Sequence, residues 1–400
     1  MTTETRLTPL ARLRSMVPRS TDESHRASTP LELLFDLCFV VAVSQAAAQL
    51  ERGVTAGHIG STLVGYLMVF FAIWWAWVNF TWFASAYDVD DVAYRLLTFI
   101  QIAGALVLAA GVTSAFSGSD FATITAGYVV MRVAMVAQWL RAAASDPVGR
   151  PAALRYAFGI TVLQVGWVLR LFLPHTWGDA TFLVLATGEV LVPWWAERGG
   201  RSTTWHPGHI NERYGLFTLI VLGESVAAAT IAIQEAVTAN AISATLVGLA
   251  VGGLALVFGL WWWYFEHSAE EGLRVSRQLA YVWGYAHYFV FASVAAFGAG
   301  LEVAVSTAEG HGTASGITAA LSVAVPVAIF VVVTATLHAI LRKDWPLQRW
   351  YPPLTAAALV ALAFAADRVS LGVVVPLMAL AVAALVAVDS RTSRTVAPTG

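Results

Sequence analysis

Asp36 follows Glu32 by one helical turn in Glu32-Leu-Leu-Phe35-Asp36-Leu-Cys-Phe39, and Arg213, Phe217, Ile220 and Glu224 share one helical stripe. Arg132, Glu189 and His287 also interrupt long runs of apolar residues. A charge at bilayer depth costs at least about 2.5 kcal/mol on insertion scales. Such groups therefore face a bundle interior, find partners and mark paths for ions, protons or polar solutes. On this basis Arg132 is expected among Glu189, Glu224 and Asp36, lining a route for a solute or proton. The same residues also fit a structural ion-pair lock, because an unpaired buried charge is expensive. His287, beside Tyr285 and Tyr288, reads as an interhelical hydrogen-bonding residue before a proton relay.

Other chemistries find less support. His206-Pro-Gly-His209-x-x-Glu212, with Glu266, His267 and Glu270 expected nearby, offers ligand types for a metal, but its spacing meets no zinc pattern and no metal site is expected. Pro207 reads as a helix-starting residue. Gly223-Glu224-Ser225-Val226-Ala227 lacks the second glycine of a nucleophile elbow, and neither a phosphate loop nor a dinucleotide fingerprint occurs. With no nucleophile and base in register, neither an enzymatic activity nor a cofactor is expected.

The elements that must position these residues follow from composition. Of 400 residues 58% are hydrophobic and 12% charged, against about 45–50% and about 25% in soluble domains. The charges cluster between long uncharged runs, and 16 Trp suit two membrane interfaces. The chain is therefore read as an all-α polytopic membrane protein whose first partner is the lipid bilayer. A net charge of −2 without a basic stripe excludes nucleic-acid binding. Cys38 is the single cysteine, so no intrachain disulfide forms.

Runs of about 20 apolar residues predict twelve spans near 31–50, 58–83, 95–117, 121–143, 151–173, 178–197, 209–233, 240–265, 275–302, 315–341, 352–366 and 370–388. The last two are short, and a re-entrant hairpin around Asp367 and Arg368 fits the same pattern. With the N-terminus inside, nineteen Arg and Lys fall on the cytoplasmic side, against Arg52, Arg170 and Arg368 opposite and Arg132 within a span. That asymmetry predicts cytoplasmic N- and C-termini. The first residues lack the apolar core of a cleaved signal peptide, and 1–28 reads as a basic, disordered cytoplasmic arm touching anionic lipid.

The pattern repeats after about 180 to 187 residues, aligning Glu32-Leu-Leu-Phe35 with Glu212-Arg-Tyr-Gly215 and Trp74-Trp75-Ala-Trp77-Val-Asn79 with Trp261-Trp262-Trp263-Tyr264-Phe-Glu266. Six spans per repeat give two parallel halves. The expected domains are the arm 1–28, a first half 29–198, a cytoplasmic linker 199–208, a second half 209–389 and a tail 390–400.

Two long stretches carry a resemblance. Thr29-Pro30-Leu-Glu32-Leu-Leu-Phe35-Asp36-Leu-Cys38-Phe39 resembles the opening signature of the bacterial low temperature requirement A family. His206-Pro-Gly-His209-Ile-Asn-Glu212-Arg213, continuing through Gly215 to Gly223-Glu224-Ser225, resembles its central one. The Trp run followed by Asp90, Asp91 and Arg95 is also similar. The resemblance implies a bacterial inner-membrane protein linked by name to growth in the cold, and transfers no catalytic residue. Phe35-Asp36 and Phe39 also look distantly like the Phe-Ser-Asp signature of potassium channels built from six-helix repeats, although Leu34 and Leu216 stand where that signature needs a serine and an acid. The expected function is transport of a small solute or ion, coupled to protons, through a site between the two halves. The alternatives are a non-transporting structural or stress-adaptation protein acting in the cold, and an ion channel.

Overall fold

A computed structural model describes residues 14–20, 27–118, 120–199, 203–238, 243–341 and 350–396. All regular structure among them is helical, in thirteen α-helices: α1 Pro30–Thr55, α2 Ile59–Tyr87, α3 Val92–Gly118, α4 Ala122–Ser145, α5 Arg150–Arg170, α6 Gly178–Ala196, α7 Pro207–Thr238, α8 Ala244–Phe265, α9 Glu270–Val275, α10 Arg277–Ala308, α11 Gly316–Leu341, α12 Tyr351–Ala363 and α13 Leu371–Val396. Without water in the hydrocarbon, a spanning segment must satisfy its own amides and carbonyls, and the helix does so internally. Among the described residues a helix coincides with each of the twelve expected runs, and the short α9 adds one turn and a half in the loop after α8.

Among the described residues nine helices are long and apolar enough to cross a membrane, and the chain is a multi-pass membrane protein. Helices α6 and α12 fall outside that set for two different reasons. α12 has 13 residues, about 20 Å at the helical rise, and a 3-10 turn at Phe364–Asp367 extends it before α13 begins. α6 carries Asp179 and Glu189, and α7 carries His209, Glu212, Arg213 and Glu224. The two acids lower the hydropathy of α6, and Glu189 together with the polar residues of α7 supplies the buried charges described below.

The chain divides into two compact units, one of residues 1–42 and 68–213 and the other of 43–67 and 214–400. The division runs through α1, α2 and α7. In the first unit α3 and α4 touch backbone to backbone. A Cβ added to Gly104 would stand 2.7 Å from the Gly127 carbonyl oxygen, so only glycine permits this approach. In the second unit a Cβ on Gly252 of α8 would meet the Pro376 nitrogen of α13 at 2.6 Å.

The described part of the N-terminal arm is docked, which corrects its reading as a disordered tail. Met16 is fully buried, the Arg14 amide donates to Asp91 Oδ2 at 3.0 Å, and the Arg19 amide donates to the Ala86 carbonyl at 3.0 Å. Asp91 also accepts from the Tyr94 amide at 2.8 Å and from Arg141 Nη2 at 2.7 Å. Burial pushes the Asp91 carboxyl up, but these donors more than reverse the effect and hold it below its ordinary value. Arg6, Arg12, Arg26, Arg201, Arg342, Lys343 and Arg349, counted for orientation, lie outside the described residues.

Candidate functional site

Two helix starts in the first unit build the site. Thr29 caps α1 in a reciprocal box: its Oγ1 accepts from the Glu32 amide at 3.3 Å, while Glu32 Oε2 accepts from the Thr29 amide at 2.8 Å and its hydroxyl at 3.0 Å. Pro30 takes the first helical position, where its missing amide costs nothing. α7 opens in the same way. His206 Nδ1 accepts from the His209 amide at 3.2 Å, Pro207 occupies the first position, and the His206 amide donates to Ser85 Oγ at 3.1 Å. Each start is followed by polar residues one turn apart, acids at 32 and 36 on α1 and bases at 209 and 213 on α7. Asp36 and Arg213 each lie six residues past the first helical residue, about 9 Å along the axis.

The two faces interlock. Arg213 reaches Asp36 Oδ1 through Nη2 at 2.5 Å and Glu32 Oε1 through Nη1 at 3.2 Å. His209 Nε2 lies 3.1 Å from the same Glu32 oxygen. Trp77 Nε1 donates to Asp36 Oδ1 at 2.7 Å, and Thr81 Oγ1 stands 3.5 Å from Arg213. Phe35 stacks on Phe39 and Phe80 with ring centroids 4.6 and 3.9 Å apart. Glu32, Asp36, His209 and Arg213 are all buried. Two carboxyl groups face one guanidinium and one imidazole. Among these four described groups charge balance needs one proton more than the arginine carries, held on His209 or on an acid. Glu212, on the flank of α7, accepts the Ser28 amide at 3.2 Å.

A second buried pair lies in the same unit. Arg132 of α4 meets Glu189 of α6 at 3.2 Å, and Glu189 also accepts from Trp75 Nε1 at 2.8 Å and Trp167 Nε1 at 3.2 Å. Arg132 donates to the Tyr128 hydroxyl and lies over that ring, 4.5 Å from its centroid. Glu189 thus has a full set of donors.

Within the first unit this geometry corrects the expectation that Arg132 sits beside both Glu189 and Asp36. Arg132 takes Glu189, and Asp36 takes Arg213, one of the residues that the charge asymmetry puts on the cytoplasmic side. The cap at His206 starts α7 early enough to carry Arg213 a turn and a half inside. Glu224 belongs to the second unit, is half-buried, and has no ion pair or hydrogen bond among the described residues. Gly223 beside it is exposed, and the buried Ser225 donates within α7 or to the Val294 carbonyl at 3.2 Å.

His287, also in the second unit, is a hydrogen-bonding residue, with Tyr264 as its partner. Its Nδ1 lies 2.7 Å from the Trp283 carbonyl and so donates, leaving Nε2 to accept from the Tyr264 hydroxyl at 2.9 Å. The ligand types considered for a metal go to separate partners: His209 to Glu32, His267 to Asp389 at 2.9 Å, and Glu266 to Trp262 at 2.7 Å. Among the described residues no group of three such side chains could hold an ion. The sequence reading missed His209 opposite Glu32 and the indole donors Trp75, Trp77 and Trp167. The signal for the first was the repeated order of cap, proline and polar pair.

Comparison with known proteins gives a family match over nearly the whole chain: the model described as bacterial low temperature requirement A protein matches residues 27–386. A Rhizobium meliloti (strain 1021) protein described as uncharacterized is 27% identical over 284 residues. That match covers 67% of this chain and 66% of the relative, so the chain spans just under two thirds of the relative's length. No solved structure matches.

Proposed function

The chain belongs to the bacterial low temperature requirement A family, and from that premise we propose that it is an inner-membrane transporter that moves a small solute or ion in exchange for, or together with, protons. The observation that carries this reading is the imbalance at Glu32, Asp36, His209 and Arg213: two buried acids share one guanidinium and one imidazole. Such a cluster holds one proton that three groups can accept, and intramembrane groups of this kind serve as proton relays. Asp36 and Glu32 exchange the proton, Arg213 keeps the deprotonated cluster from expelling its charge, and Trp77 fixes the Asp36 carboxylate. On this reading the proton-handling centre is the cluster that α1, α2 and α7 form inside the first unit, and both termini are cytoplasmic.

The test uses the full chain in proteoliposomes loaded with pyranine, following lumenal pH after imposed gradients of K⁺, Na⁺ or mixed amino acids. Wild type is expected to move protons with at least one gradient, and Asp36→Asn to slow this at least about tenfold, while Glu270→Gln on the exposed α9 changes nothing. Proton movement equal to that of empty vesicles under every gradient, or unaffected by Asp36→Asn in folded protein, overturns the proposal. A second reading, a non-transporting protein that holds its bundle together in the cold, draws on the saturated Glu189 centre. It predicts that Asp36→Asn lowers only thermal stability.

A further inference from the structure

The first unit holds a cavity of about 370 Å³ between α4 and α5, and neither the proton centre nor the ion pairs account for it. Its volume lies in the range of small-molecule sites, about 300–1,000 Å³. Valines 129, 133, 136, 165 and 168, with Ile160 and Leu169, make most of the wall. Val133, Val165 and Leu169 are 63%, 54% and 59% exposed, so the cavity opens on the face that the bilayer covers. Three polar residues interrupt this wall: Arg132, Thr161 and Gln164.

Gln164 is the informative one. It is only 9% exposed, and neither its amide oxygen nor its amide nitrogen has a hydrogen-bond partner among the described residues. Leaving a buried donor or acceptor unmade costs about 1–3 kcal/mol, and here both are unmade in one side chain that faces a cavity. Thr161 is spent on the Ala157 carbonyl at 2.7 Å. Arg132 lines the cavity while its Nη2 holds Glu189 and Tyr128, and its buried Nε is unpartnered among the described residues.

We propose that this cavity binds a long-chain carboxylic acid from the bilayer in its neutral form. A primary amide presents one acceptor and one donor side by side. A protonated carboxyl group presents the complementary pair, so its hydroxyl donates to Gln164 Oε1 while its carbonyl accepts from Gln164 Nε2. Arg132 Nε is a further donor on the same wall. The alkyl chain lies along the valine-lined groove toward the lipid. An ester or a plain hydrocarbon fills the groove but leaves Gln164 Oε1 unpaired, which makes the selectivity a property of the head group. This inference stands apart from the transport reading, because no member of the proton centre lines the cavity.

The test uses the full chain in nanodiscs and a saturated long-chain fatty acid with a mid-chain diazirine. Cross-links are expected to concentrate in residues 129–136 and 160–169. The free acid should compete for them, and its methyl ester about tenfold less well. Two neutral hydrogen bonds correspond to about a tenfold change in affinity, so Gln164→Leu should raise the apparent Kd about tenfold. Val133→Trp, at an exposed position that tolerates bulk, should block the labelling and serves if Gln164→Leu does not fold. Labelling spread over all lipid-facing helices, equal competition by the ester, or labelling unchanged in both variants overturns the proposal.

Discussion

Removing Arg213 should damage the protein more than removing either acid it faces. The guanidinium is fully buried and reaches Asp36 at 2.5 Å and Glu32 at 3.2 Å. Arg213→Met keeps most of the volume but leaves two buried carboxyl groups without their cation. Breaking a buried pair in this way costs about 3–5 kcal/mol, more than a hundredfold in the folded to unfolded ratio at about 1.36 kcal/mol per decade. Asp36→Asn is milder. The amide oxygen still accepts from Trp77, whose indole lies 2.7 Å from the native carboxylate, and Arg213 retains Glu32. The loss is one charge-assisted bond, about 1.5–3 kcal/mol. In the double variant Asp36→Asn has no charge partner left to lose, so the two effects overlap by about 1.5–3 kcal/mol. The cycle is measured by reversible unfolding in mixed detergent micelles, followed by tryptophan fluorescence. Additivity within about 0.5 kcal/mol, the behaviour of uncoupled sites, would refute the shared centre, as would an Arg213→Met protein of native stability.

Two further outcomes check the periphery and the orientation. The Asp91 carboxyl is held below its ordinary value in the folded state, so it binds fewer protons there than in the unfolded chain. Its contribution, about 1–3 kcal/mol for a hydrogen-bonded carboxylate, is full above about pH 4 and is lost as pH falls through the lowered folded value. The stability gap between wild type and Asp91→Asn should therefore stay flat from about pH 8 to about pH 5 and narrow below about pH 4; a gap that widens with acid contradicts the assignment. For orientation, in a Cys38→Ser background an impermeant maleimide added to intact spheroplasts should label cysteine at Asp120 or Asp179 but reach cysteine at Glu270 only after permeabilisation. The reverse pattern overturns cytoplasmic termini.

The helical architecture was legible because its cause is local. A run such as Leu371–Val388 has no way to satisfy its backbone in lipid except as a helix, and no distant residue changes that. What escaped the sequence is which helices meet. Asp36 and Arg213 are far apart in the chain, and an apolar surface does not announce its neighbour. Periodicity put Asp36 on a face with Glu32 and Arg213 on a face with Glu224, both reasonable within single helices. It could not pair the faces, so Arg132 was assigned partners by depth alone.

The missing constraint was in the caps. Thr29-Pro30-Leu-Glu32 and His206-Pro207-Gly-His209 both state where a helix begins, because proline is tolerated in the first turn and a capping side chain three residues before a polar one closes the box. Once both starts are fixed, counting one turn on from Glu32 and from His209 puts Asp36 and Arg213 at the same distance inside their helices. Opposite charges at equal depth are the pairing that costs least in lipid. The indoles follow by the same logic. Asp36 and Glu189 need donors that bring no further charge, and Trp75 and Trp77 provide them from the aromatic run on α2, which composition alone had assigned to the membrane interface. A tryptophan run at the middle of an apolar helix is therefore better read as a set of neutral donors, and the acids it serves are sought on the helices packed against it.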